Sequence, residues 1–144
     1  MSVPSQAEAA AAWWLRTALG DLAAARMILR HDGLPPRLAA YLAQQAAEKA
    51  LKATIALDGT EPPWTHDVVL LRERAPQAVQ AATTSIDVVR LSIARTAARY
   101  PEPGDQPYGA DEAARLVSDA SELIEVAKRH LEIAGADPLS WAPI

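Results

Sequence analysis

The stretch QQAAEKALK, Gln44 to Lys52, sets two amides, an acid and two lysines inside a segment otherwise rich in alanine and leucine. Projected at helical steps, Gln45, Lys49 and Lys52 share one sector of about 120° with Leu38, Leu42, Ala46, Ala53 and Ala56, while Gln44 and Glu48 fall beside it. A buried, unpaired charge is costly, so these groups must be partnered, reach the rim, or line a wet cleft. Glu48 can pair with Lys52 one turn on. Two chemistries stay open: cationic stems lying along a helix seam, or a cationic cleft for a phosphate, a nucleotide or an RNA strand.

A second group lies further along the chain. Arg95 and Arg99 fall one turn apart on one face and are followed by Tyr100 and a proline-rich loop. Two guanidiniums and an aromatic at a helix end could hold a phosphate and stack a base, although a helix dipole alone also favours Arg99 there. His66, between Trp64 and Asp67, could donate to a phosphate or bond locally and pack on the tryptophan. With no Cys, no paired His spacing and dispersed carboxylates, neither a metal nor a cofactor is expected, and no catalytic residue is assigned.

The elements that must position these residues are helices. Ser5 with Glu8 forms a capping box that opens a first helix, which runs to about His31 and stops at Asp32-Gly33. Its stripe is Leu15, Ala18, Leu19, Leu22, Ala25 and Leu29, with Arg26 among them. A second helix starts at Pro35-Pro36 and ends at Asp58-Gly59. EPPWTHD then forms a stiff connection, with Thr65 as N-cap and Asp67 in the first turn of a short helix to Arg74; Pro76 ends or kinks it. A third long helix covers roughly Thr84 to Arg99, with Arg90 in a stripe of Ile86, Val89, Ile93 and Ala97. A fourth runs from about Asp111 to Ala134, before an extended tail over 136–144. No strand alternation and no repeat is visible. The expected fold is all-α: one domain over residues 1–144, an up-and-down bundle of four long helices plus one short helix.

Composition agrees. Half of the 144 residues are hydrophobic, yet Phe is absent, so the core must be built from Ala, Leu, Ile and Val. A net charge of -4 speaks against a general DNA binder without excluding a local basic pocket. The N-terminal apolar run is interrupted by Glu8, Arg16 and Asp21, so neither a signal peptide nor a membrane span is expected, and a cytoplasmic location follows as the default. Trp13 and Met27 lie off the main stripe of the first helix. A partner, or the Trp141 tail, must cover them if they are not to stay exposed, and a dimer is expected.

The segment AAYLAQQAAEKALKATIALDGTEPPWTHDVVLL followed by ARTAARYPEPG resembles the HEPN domain of prokaryotes. QQAAEKALKA at Gln44–Ala53, Thr-His-Asp at 65–67 and Arg-Tyr-Pro at 99–101 carry the resemblance, which spans about residues 14 to 132. It implies a helical bundle that commonly dimerises and acts with a minimal nucleotidyltransferase, in a toxin–antitoxin or nucleotide-handling pair. On that reading Gln45, Lys49, Lys52, His66, Arg95, Arg99 and Tyr100 bind the nucleotide or RNA. The rival expectation is a metal-independent ribonuclease toxin, since many members of the superfamily carry Arg and then His after four to six intervening residues. Counting from Arg99, those places hold Gly104, Asp105 and Gln106; from Arg95 they hold Tyr100, Pro101 and Glu102. One formal match, Arg26 to His31, ends the first helix.

Overall fold

The computed structural model describes residues 5–99, 102–104 and 108–136; Tyr100 and the segment 137–144 lie outside them. Among the described residues all regular structure is helical: α1 (Gln6–Arg30), α2 (Pro36–Leu57), α3 (Val68–Arg74), α4 (Gln77–Ala82), α5 (Val88–Ala97) and α6 (Ala110–Ile133). Three of these are long, and their ends follow the local chemistry. Ser5 Oγ accepts from the Glu8 N–H at 3.1 Å to start α1. Pro36 supplies a preset first turn for α2. Gly59, at φ 83°, takes the left-handed turn that closes α2, with its N–H bonded to the Ala56 carbonyl.

Helix α2 is the axis of the bundle and packs against α1, α6, α5 and α3. That placement explains its alanines. Eight of them, from Ala39 to Ala56, are buried, and each lets a neighbouring helix approach without a long side chain between backbones. Leu15, Leu51, Leu71, Leu91, Leu116 and Leu123 fill the remaining core, and truncating one such leucine to alanine typically costs about 2–5 kcal/mol.

Because neighbours surround α2, its packing sector is wider than the projected 120°. Gln44 and Glu48, expected beside that sector, are buried along with Lys52, while Gln45 and Lys49 keep partial exposure. The stripe of α1 is observed as expected in Leu15, Ala18, Leu22 and Ala25, but Arg26 points out and donates from Nη2 to Ser121 Oγ of α6 at 2.9 Å. Trp13 and Met27 are exposed.

The region 75–99 is divided differently from the sequence expectation. Pro76 starts the separate helix α4 rather than merely ending α3, and the expected long helix from Thr84 is the ten-residue α5. The break lies between Thr83, the C-cap of α4, whose buried hydroxyl donates back to the Val79 carbonyl at 2.8 Å, and Asp87, which caps α5 through the Arg90 N–H. The shift rotates α5. Val88, Leu91, Ala94 and Ala98 face the core, whereas Val89 at 56% and Ile93 at 58% exposure, with Arg90, face outward. Asp67, not Thr65, caps α3; its carboxylate accepts from Val69 and Leu70 N–H, while Thr65 Oγ1 accepts from the Asp67 N–H.

Candidate functional site

A cleft of about 1090 Å³ opens between α1, α2 and the segment 59–66. Small-molecule sites usually run about 300–1,000 Å³, so it has room for a nucleotide-sized ligand. The segment forms its wall for a geometric reason. After Gly59 the chain must return beside the middle of α2, about 18 Å back along a helix that rises about 1.5 Å per residue. Seven residues, which reach about 23–25 Å at most, cover that in a largely open path that turns once at Trp64, where the Thr65 N–H donates to the Pro63 carbonyl at 2.8 Å. Pro62 and Pro63 suit such a path because they favour extended backbone and offer no N–H.

Side chains of α2 hold the returning segment in place. Gln44 Nε2 donates to the His66 carbonyl at 3.1 Å, and the His66 ring bonds through Nδ1 to Glu48 Oε1 at 2.8 Å. Glu48 also receives Lys52 Nζ at 3.1 Å and Gln44 Nε2 at 3.4 Å. With only 3% of its surface exposed, this carboxylate needs those three donors, because an isolated buried charge is strongly unfavourable. A carboxylate only accepts, so His66 Nδ1 carries the proton in this bond and Nε2 lies on the opposite edge of a ring that is more than half exposed.

Helix α1 supplies the other side. Trp14 lies under Lys52, whose Nζ is 5.2 Å from the ring centroid, and Trp13 meets Trp14 edge to face at 4.9 Å. Asp21 reaches across to Lys49 Nζ at 2.6 Å. At the rim, Trp64 is 97% exposed, so His66 packs against α2 through Glu48 and not against this tryptophan.

The sequence candidates therefore separate into two groups. Gln45, Lys49, Lys52 and His66 line the cleft together. Arg95 and Arg99 do not; Arg95 lies on α5 with its Nε buried and without a hydrogen-bond partner, and Arg99 follows the C-cap of α5 with its guanidinium 5.6 Å from the centroid of Tyr41. Tyr41 precedes Gln45 by one turn, so Arg99 stands roughly 6 Å along α2 from that end of the cleft. Tyr100 falls outside the described residues. Arg26 and His31 are both exposed, with Arg26 turned to α6 and His31 at the C-cap of α1.

Sequence reasoning missed Trp14, Asp21, Trp64 and the central position of Glu48. The spacing Gln44, Glu48, Lys52, one residue per turn, was the available signal for the last. Among the described residues no group of three or more His, Asp or Glu side chains could hold a metal ion, and no helix is long and apolar enough to cross a membrane.

No curated protein matches the chain. Two solved structures are similar to it. TT1696 from Thermus thermophilus is 26% identical, with a TM-score of 0.67 over 85% of this chain and 99% of that one. ST0689, described as an archaeal HEPN homologue, is 26% identical, with a TM-score of 0.61 over 81% of this chain and 93% of its own. The family model of the HEPN domain matches residues 11–131, and the chain belongs to the HEPN domain family.

Proposed function

We propose that this HEPN-domain protein is a binding module that holds a nucleotide, or the end of an RNA strand, in the cleft between α1, α2 and the segment 59–66, and that it works with a nucleotidyltransferase partner as one half of a toxin–antitoxin pair. The observation that carries the reading is the convergence of Gln45, Lys49, Lys52 and His66 with two tryptophans, Trp14 and Trp64, on one cleft. Aromatic rings offer stacking surfaces that tolerate any base, and a few fixed polar groups set orientation. Arg95 and Arg99 lie outside this lining and enter only for a ligand longer than a mononucleotide. Exposed Trp13 and Met27 on α1, with Val89 and Ile93 on α5, support self-association or contact with the partner.

A titration of the full chain with ribonucleotides and short RNAs, followed by calorimetry and tryptophan fluorescence, tests the reading. Trp64→Ala is expected to weaken binding about tenfold, since stacking on one ring contributes roughly 1–3 kcal/mol per base. Absence of binding in the wild type, or equal affinity in the variant, would sink it. Co-expression with a minimal nucleotidyltransferase encoded beside this gene, followed by size-exclusion chromatography, tests the partner.

A further inference from the structure

We infer that a second site, outside the cleft, binds a phosphate group in the groove between α2 and α5, with the Arg95 guanidinium as its main donor. Two contacts fix the end of α5 beside the first turns of α2. Arg37 Nη1 donates to the Ala98 carbonyl at 3.3 Å, and the Arg99 guanidinium lies 5.6 Å from the centroid of Tyr41. A third fixes the middle of α5 beside the start of α3, where Ser92 Oγ donates to Asp67 Oδ1 at 3.2 Å. Arg95 stands between these fixed points, about one turn from each along α5.

The surrounding contacts are made without Arg95. Its Nε is buried and finds no hydrogen-bond partner, and no ion pair engages its guanidinium among the described residues. The nearby Asp67 forms no ion pair with it; that carboxylate caps α3 through the Val69 and Leu70 N–H groups and takes the Ser92 hydroxyl. Buried N–H donors are nearly always paired in folded proteins. Water can satisfy an N–H, but this guanidinium also lacks a counter-charge, and an oxyanion supplies both by accepting two parallel bonds from the planar fork. Arg37 flanks the same groove. Its bond to the Ala98 carbonyl offsets the negative pole at the end of α5, and that bond takes one of its five N–H groups. From Val88 to Arg99 the chain has three arginines and no acidic residue, in a protein whose net charge is -4, so the local field along α5 favours an anion. A phosphate group, with up to two negative charges and three acceptor oxygens, suits a groove flanked by two arginines better than a singly charged carboxylate does.

The test uses Arg95→Met, which removes the guanidinium and keeps most of the apolar stem, and Arg95→Lys, which keeps the charge and loses the fork. Urea unfolding of the full chain is followed in low-millimolar inorganic phosphate and in chloride at matched ionic strength. Phosphate is expected to raise the midpoint of the wild type, to raise it less in Arg95→Lys and not to move it in Arg95→Met. Calorimetry with a 5′-phosphorylated oligouridylate of about six nucleotides then tells where the phosphate comes from. If it belongs to a strand that enters the cleft, Arg95→Met lowers the affinity for the oligonucleotide about tenfold and its salt slope by about 1, and leaves the binding of uridine monophosphate unchanged. If only the response to inorganic phosphate is lost, the site serves a separate phosphate ester. Equal responses of the wild type and Arg95→Met to both probes overturn the inference. That failure leaves the cleft reading standing, because Trp64→Ala tests the cleft through nucleotide affinity alone.

Discussion

Glu48 on α2 and Arg95 on α5 are charged side chains turned toward the protein, and their surroundings differ sharply. Around Glu48, Gln44, Lys52 and His66 donate to the carboxylate, while Asp21 meets Lys49 one turn away. Around α5, Arg95 keeps a buried Nε with no partner, and Asp87 faces Asp119, with Glu122 also close to that carboxyl. The first arrangement pins a loop against a helix and shapes a cleft. The second is a set of separate short-range contacts and not one network: Asp87 takes the Arg90 N–H and lies 3.8 Å from Arg90 Nε, Ser92 donates to Asp67, and Arg95 Nε finds no hydrogen-bond partner. A charged residue placed on a buried face therefore reports nothing about ligands until its neighbours are known.

Removing the Glu48 carboxylate should have the largest effect. Glu48→Ala keeps good helix propensity but strands Lys52 in a buried position and releases both Gln44 and His66. Losing one partner of a buried pair costs about 3–5 kcal/mol, to be read as a fall in urea midpoint with an unchanged denaturant slope. A loss below about 1 kcal/mol would mean that water already satisfies Lys52, and the contrast with α5 would disappear.

How far the sequence foretold this contrast depends on the region. The ends of α1 and α2 were legible because Ser5 with Glu8, Pro36, and Asp58-Gly59 act through local backbone chemistry. The ion-pair network was legible only in part. The Glu48–Lys52 pair follows from helical spacing, but Asp21 and His66 reach the cleft from positions 28 and 18 residues away from Lys49 and Glu48, and no periodicity carries that information. α5 was misread because its start was placed at Thr84, whereas Asp87, whose carboxylate accepts from the Arg90 N–H, is the N-cap and the residues before it lie outside the helix. With the break placed wrongly, Arg90, Val89 and Ile93 were assigned to the core face.

Arg95 offers the opposite of the Glu48 experiment. Its Nε is buried and unbonded, so Arg95→Met removes an unsatisfied polar group while keeping most of the apolar stem. The expected outcome is neutral to stabilising by up to about 1 kcal/mol in chemical denaturation. Destabilisation of more than that would show that the guanidinium makes a contribution its geometry does not reveal, and α5 would no longer contrast with α2.

The smallest effect should come from Asp119 on α6. Burial, followed by the nearby Glu122, raises its carboxyl above the usual range, with Asp87 adding to the rise, while the Asp87 backbone N–H and Arg115 pull the other way. A carboxyl whose folded-state pKa is raised binds its proton more tightly in the folded chain, so its ionisation opposes folding at neutral pH. The penalty fades as pH falls through the raised folded value toward the ordinary carboxylate value, where both states are protonated. Asp119→Asn is thus expected to stabilise by about a few tenths of a kcal/mol at neutral pH, because the carboxyl is only partly buried and solvent screens its neighbours. Its advantage should vanish near the bottom of the carboxylate range and shrink in high salt. A variant whose advantage instead grew on acidification would mean that Asp119 is held ionised by a partner, and the crowding of like charges beside α5 would have to be abandoned as the distinction between the two regions.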